Sequence, residues 1–246
     1  MRSSYFRYLF DLRWQKIIFA ALLVCVLSRQ NSFSQGVKYS PRHQEHYEDK
    51  TVHYGFLFAL PQTRFRFTHS DHFVTSADSI NLITAPSVAG FRMGLVANFY
   101  LNDRWDIRTT PSVSLYDRVL EYQFASGKTR RELREATWIE LPILLKYKSK
   151  RRMNSRMYML GGVTLGTETN VRRRSQPGSD RLNSKSYDVT LDYGFGFEQF
   201  LAYTKFSPEL RFSHGLVNMY EAGDAPTSIS LRRLTTHTIT LYLMFE

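Results

Sequence analysis

Alternation of apolar and polar residues with a period of two is the strongest constraint in this 246-residue sequence. From Phe91 the odd positions carry Phe91, Met93, Leu95, Ala97, Phe99 and Leu101, opposite Arg92, Gly94, Val96, Asn98 and Tyr100. From Trp105, a second set of Trp105, Ile107, Thr109, Pro111, Val113 and Leu115 opposes Asp106, Arg108, Thr110, Ser112 and Ser114. Successive side chains of a strand point to opposite faces, so each run predicts a strand with one greasy and one polar side. Pro111 lacks the ladder donor and is expected at an edge or a bulge.

The pattern repeats along the chain. Ile139, Leu141, Ile143, Leu145 and Tyr147 oppose Trp138, Glu140, Pro142, Leu144 and Lys146, and Met157, Met159, Gly161, Val163 and Leu165 form one side of the next run. Tyr187 to Phe197 alternates against Asp188, Asp192, Gly194, Gly196 and Glu198, and Phe206, Pro208, Leu210 and Phe212 against Lys205, Glu209 and Arg211. A final run sets Ile239, Leu241, Leu243 and Phe245 against threonines and Tyr242. A first run near Val52 to Phe67, with Tyr54, Phe56 and Phe58 in phase and a shift at Pro61, brings the expected strand count to eight.

Eight two-faced strands close in one of two ways. A soluble sandwich or lipocalin-like barrel turns the greasy face inward, whereas a transmembrane barrel turns it to lipid. The connections decide. Those near Asn102-Asp103, Ser149 to Ser155 and Gln199 to Ala202 are short, while His69 to Ser87, Phe124 to Arg134, Val171 to Ser184 and Met219 to Arg232 are long. This strict alternation fits short periplasmic turns and longer outer loops. Aromatics near expected strand ends (Tyr54, Phe99, Trp105, Trp138, Tyr147, Tyr187, Tyr203) fit interfacial girdles. The expected fold is all-β: an eight-stranded antiparallel up-and-down transmembrane β-barrel over residues 52–246.

The amino-terminal segment reads differently. Arg2, Arg7, Arg13 and Lys16 precede an apolar run from Ile17 to Leu27, and Ser32 and Ser34 supply small residues at the −3 and −1 positions. That arrangement predicts a signal peptide over residues 1–34, cleaved after Ser34, since eleven apolar residues are too few to span a bilayer as a helix. Residues 35–51 are a polar, periplasmic lead-in.

Composition now becomes informative. The chain holds 33 Lys plus Arg against 22 Asp plus Glu, a formal charge of +11, which by itself points to nucleic acid. Export removes that partner. The signal peptide takes five basic residues and one acid with it, leaving 28 against 21 and a net +7. The one cysteine, Cys25, also lies in the signal peptide, which excludes a disulfide scaffold and a zinc ribbon.

The remaining positive charge concentrates in connections. Lys128, Arg130, Arg131 and Arg134 fall in one expected outer loop and Arg172, Arg173, Arg174 and Arg181 in another, as candidate contacts for lipid A phosphates or an acidic partner. Lys150, Arg151 and Arg152, with Arg156, mark an expected periplasmic turn. Arg92, Arg108, Glu140, Lys146, Asp192, Glu198, Lys205, Glu209 and Arg211 all take the inward parity. Eight strands enclose a space just wide enough for side chains to fill, so these charges are expected to pair as a plug, not to line a pore.

Catalytic groups are sparse. Ser213 and His214 are adjacent in a strand and point to opposite faces, which separates a nucleophile from its base. His69, Asp71 and His72 crowd the first long loop without a helix to set their spacing, which is weak support for a metal site. No nucleophile elbow or phosphate loop is present, and Gly161, Gly162, Gly194 and Gly196 read as packing or bend positions. No enzymatic activity, cofactor or metal is expected.

Four stretches, in order, resemble the PorT (also SprT) barrels of the type IX protein secretion system of Bacteroidetes. They are Trp105 to Leu115, Glu140-Leu-Pro-Ile-Leu-Leu-Lys-Tyr-Lys-Ser149, Tyr193-Gly-Phe-Gly-Phe197 and Phe206-Ser-Pro-Glu-Leu-Arg-Phe-Ser-His-Gly-Leu-Val-Asn218. The resemblance covers Val52 to Glu246 and departs at the last position, Glu246, with Phe245 just before it. It implies an outer-membrane component needed for protein export, and for gliding in motile members. The implied partners are other secretion subunits of the translocon or periplasmic ring, beside outer-membrane lipid, and no catalytic residues are implied. The alternatives are a lipid-modifying enzyme or ligand receptor using the first loop or barrel mouth, and a structural OmpX-like barrel.

Overall fold

The computed structural model describes residues 42–69, 80–124, 127, 129–169, 185–220 and 231–246. The expected signal peptide, the outer segment 170–184 with its four arginines, Asp71, His72 and Lys128 lie outside these residues. The described chain opens with a 3-10 turn, Glu45–Asp49, and continues as eleven strand segments. These are β1 (Val52–His69), β2 (Ile80–Thr84), β3 (Val88–Ala89), β4 (Phe91–Tyr100), β5 (Trp105–Thr109), β6 (Ser112–Phe124), β7 (Thr129–Lys148), β8 (Ser155–Glu168), β9 (Tyr187–Phe200), β10 (Lys205–Gly215) and β11 (Leu231–Phe245).

The eleven segments make an eight-stave antiparallel ring. β5 and β6 are one stave broken at Thr110-Pro111: β5 pairs with β4 and β7 through Ile107↔Phe99 and Ile107↔Leu145, and β6 continues beside β4 and β7 through Val113↔Met93 and Val113↔Ile139. Pro111 thus sits at the break, where no ladder donor is needed. β2 and β3 extend the stave of β4, pairing with β6 and β1. The ring closes where β1 pairs with β11 on one side and β4 on the other. A closed ring leaves no open edge, the condition for a sheet in lipid.

Three connections differ from the sequence reading. β1 does not shift at Pro61: its register with β11 is unbroken from Phe56↔Phe245 to Thr68↔Arg233. The apolar set changes sides there because the surroundings change, as described below. The expected first outer loop, His69 to Ser87, contains β2, and β3 follows directly after it. The expected loop from Phe124 to Arg134 is the upper part of a tall hairpin, paired up to Gln123↔Thr129. Arg130, Arg131 and Arg134 are therefore strand residues, and Arg131 forms a cross-strand ion pair with Glu121 at 3.7 Å. A strand standing in water has no reason to show the greasy alternation of one standing in lipid, so its sequence reads as loop.

The membrane zone is outside-in. Large side chains exposed around the ring include Phe56, Leu60, Leu95, Leu115, Leu141, Ile143, Met159, Leu191, Phe195 and Leu241. Trp105 and Tyr147, in contact at 4.9 Å between ring centroids, lie at its periplasmic rim. Above this band the order reverses. Phe65, Ile83, Tyr116, Leu120, Tyr122, Trp138, Met219 and Leu234 form a buried apolar cluster inside the ring, while Arg64 and Arg66 point out. Trp138 belongs to this cluster, stacked on Tyr116 at 6.4 Å, and not to the aromatic girdle assigned to it from sequence.

Candidate functional site: a charged interior closed at its periplasmic mouth

The inward residues of the membrane zone build a network of ion pairs and hydrogen bonds. Arg108, at 0% exposure, is its hub: it reaches Glu209 at 2.9 Å, Glu246 at 3.3 Å and Glu198 at 3.6 Å, and donates to Asn98 Oδ1 at 2.6 Å. Glu198 accepts from Lys146 and Arg156 and lies 3.2 Å from Lys205. Arg211 donates to Glu209 at 2.6 Å and stands 4.1 Å over the Tyr242 ring. Arg92 pairs with Glu140 and donates to Ser114 Oγ at 2.7 Å. Asp192 accepts from the hydroxyls of Thr164 and Thr190 at 2.6 and 2.7 Å. The structure thus brings all nine inward-parity residues of the sequence reading inside, every one of them buried.

Local geometry makes room for this network. Tyr158 projects inward, with its hydroxyl 2.9 Å from Glu209 and its ring 5.0 Å from the Arg108 guanidinium carbon. A Cβ on Gly196, the cross-strand partner of Tyr158, would stand 2.3 Å from that ring. Glycine here is a packing requirement.

Two further cations belong inside. Lys148 pairs with Asp106 at 2.6 Å, and Arg156 is buried between Glu198 and Glu48. Arg156 is therefore not part of a solvated periplasmic turn. Its parity with Tyr158 and Leu160, opposite Met157 and Met159, is the signal that places it inward. Glu246 follows the same rule: it shares parity with Tyr242 and Met244 and turns inward, leaving Phe245 outside against Phe56 and Phe206 at 5.3 and 5.1 Å. Burial raises the Glu246 carboxyl, but Lys205 and Arg108 outweigh it and hold the group down at about 2.

The polar lead-in closes the mouth of the barrel. Tyr47, carried by the 3-10 turn, stacks on His53 at 3.9 Å and meets Phe200 edge-on at 5.4 Å. Its hydroxyl donates to Glu246 at 2.9 Å and accepts from Lys205. Burial and then the charge of Glu246 push the Tyr47 hydroxyl well up, so it stays a neutral donor. Glu48 pairs with Arg156, and His43 N–H donates to Asn154 Oδ1 at 2.8 Å. Arg151 lies 3.8 Å over the Phe200 ring and donates to the Gln44 carbonyl at 3.1 Å, with partial burial lowering its affinity for a proton. Of the expected periplasmic turn, Lys150 is exposed, Arg152 is exposed, and Arg151 fastens the strap formed by residues 42–50. Sequence reasoning missed Tyr47 and Glu48 because one turn of 3-10 helix carries no periodic signal.

The outer half of the interior is aromatic, with Arg118 beside the buried carboxylates Glu168 and Asp188. Arg118 lies between Phe65, Tyr116 and Trp138 at 5.4, 4.8 and 5.2 Å, and donates to Thr63 and Tyr116 hydroxyls. Ser213 is buried inside while His214 points outward to Tyr193 and His237, so the two do not meet. Of the candidate trio in the first loop, only the backbone of His69 is described. Among the described residues no three His, Cys, Asp or Glu side chains gather as metal ligands.

A closed antiparallel ring with a greasy exterior and an ionic interior defines an outer-membrane β-barrel protein. The chain belongs to the family described as outer membrane protein beta-barrel domain, which matches residues 7–221. It is also similar to solved structures of small outer-membrane barrels. OprG from Pseudomonas aeruginosa is 13% identical, with 78% of this chain and 94% of that one covered and a TM-score of 0.41. Neisserial surface protein A is 9% identical (79% and 98% covered, TM-score 0.41), and Ail of Yersinia pestis is 12% identical (80% and 98%, TM-score 0.35). No curated protein sequence matches the chain. Family membership rests on the matched segment and places the protein in the outer membrane.

Proposed function

We propose that this barrel is an accessory component of the type IX secretion machinery, acting through protein contacts and without enzymatic chemistry. The observation that carries the reading is the filled interior. Arg108, Glu198, Glu209 and Glu246 occupy the lumen, and the strap with Tyr47 covers its periplasmic mouth. A barrel so filled offers partners its surfaces, not a conduit. The resemblance of Glu140 to Ser149 and Phe206 to Asn218 to PorT strands supplies the machinery. Partners on this reading are translocon or periplasmic ring subunits, with export of cargo proteins, and gliding in motile members, as the process served.

The test is deletion of the gene followed by measurement of cargo protein in the medium. Loss of export, restored by the wild-type gene, is the expected result, and unchanged export overturns the proposal. Charge reversal at Arg172, Arg173 and Arg174 is expected to lower crosslinking to a secretion subunit in a salt-dependent way.

A further inference from the structure

We propose that Arg64, Arg66, Arg233 and His237, with His214 positioning His237, form a binding site for the phosphate of an outer-leaflet lipid headgroup. The site lies on the outer surface of the ring, on the staves β1, β11 and β10. Arg64 is the cross-strand partner of His237, and His237 of His214, so the three stand side by side. Arg66 pairs with Thr235 and Thr68 with Arg233, which sets the second guanidinium group one step above Arg64 and the third two steps above His237. All three arginines are exposed and both histidines half-buried. Arg64, Arg66, Ala85 and His237 line a groove on this face.

Height on the barrel selects the ligand. The last lipid-facing apolar residues below the cluster are Leu60, Ile239 and Phe212, each two residues from Gln62, His237 and His214 respectively. Two residues of strand rise about 6–7 Å, which carries the cations out of hydrocarbon and into the headgroup layer. The end is the outer one, because the long connections lie there and the short turns opposite. Arginine stems lie along apolar surface with their guanidinium forks at the polar boundary, and such forks match phosphate bidentately.

The cluster is one-sided and uncompensated. No Asp or Glu stands at the outward positions of β1, β9, β10 or β11 among the described residues. At the comparable rim of β7 and β8 the outward residues are Thr137 and Thr167, both neutral. The imidazoles are held in place: His214 and His237 approach at 2.8 Å through their Nδ1 atoms, and Tyr193 hydroxyl lies 2.9 Å from His214 Nε2. Stacking of His214 on Tyr193 at 5.4 Å fixes the ring further. Three guanidinium groups with no carboxylate partner among the described residues, beside the His237 imidazole that His214 orients, fit a doubly charged phosphate monoester, whether on a lipid or free in solution.

The test uses the full chain, refolded in detergent and freed of lipid. It is titrated with bisphosphorylated lipid A, with the same lipid after removal of its phosphates, and with inorganic phosphate. The phosphorylated lipid is expected to bind at least about tenfold more tightly than the dephosphorylated one, the scale of one charge-assisted hydrogen bond. The variant R64Q/R66Q/R233Q is expected to lose that preference while keeping the heat-modifiable gel migration of a folded barrel. Equal affinity for the two lipids overturns the proposal without recourse to any variant. Wild-type preference in the folded triple variant overturns the assignment to these residues. Inorganic phosphate binding as tightly as the phosphorylated lipid overturns the lipid source and leaves a soluble-anion site.

Discussion

Two storeys of this wall of strands obey opposite rules. In the lower one, Leu95, Leu141 and Leu241 face out while Arg108, Glu198 and Lys205 face in. In the upper one, Phe65, Leu120 and Leu234 face in while Arg64 and Arg66 face out. The backbone does not change: β1 runs through both storeys in a single register with β11 as far as Thr68. What changes is the solvent. Apolar surface goes wherever water is not, which is outward in hydrocarbon and inward above it. Among the described residues the molecule is thus a membrane barrel whose wall of β1, β2, β6, β7 and β11 continues into water around an apolar cluster of its own.

Substitutions that exchange the rules of the two storeys test this most severely. Glu198→Ala leaves Lys146, Arg156 and Lys205 without their shared acceptor in a fully buried place. It is expected to cost about 3–5 kcal/mol, read as a lowered urea midpoint for the barrel refolded in vesicles. Leu241→Arg, on the lipid face of the lower storey, is expected to cost about 2–4 kcal/mol in the same measurement. Thr68→Arg, outward in the upper storey, is expected to change stability by less than about 0.5 kcal/mol. Equal costs at positions 241 and 68 would merge the storeys and break the comparison.

Acid sharpens the view of the lower mouth. Glu246 is held at about 2 in the folded barrel, below the ordinary 4.5. A depressed carboxylate stabilises the fold above its unfolded value, and that contribution is lost as pH falls from about 4.5 through about 2. Stability followed from pH 6 to pH 2 is expected to decline over this window, with a smaller decline in Glu246→Gln. A smaller effect still is expected for Tyr47→Phe, which removes the hydroxyl that donates to Glu246 and accepts from Lys205. The loss is about 1 kcal/mol, seen as faster cleavage of the strap by added protease while the strands stay protected.

The sequence makes the lower storey legible because lipid enforces strict alternation. Arg92, Arg108 and Glu209 can each be sent inward by counting from a neighbouring Phe or Leu. The upper storey resists the same reading. Residues 129–137 of β7 carry charges where lower strands carry leucines, so a strand in water passes for a loop. Trp138 sits at the border, where its inward parity and its aromatic character give opposite answers, and parity holds. Arg156 and Glu246 were open to the parity argument too, whereas Tyr47 and Glu48 reach the interior through tertiary contacts that no local pattern announces.

The strap has a consequence for assembly. Tyr47 and Glu246 lie 199 residues apart in sequence, and the pocket for Tyr47 is made jointly by Phe200, Lys205, Glu246 and His53. Those residues come together only after β9, β10 and β11 have paired and β1 has met β11. The strap therefore seats last, and its ring stack and hydrogen bonds act as a clasp that engages when the circle is complete. A barrel stalled one hairpin short would leave residues 42–50 loose at the membrane surface, so the clasp distinguishes finished molecules from unfinished ones before either meets a partner.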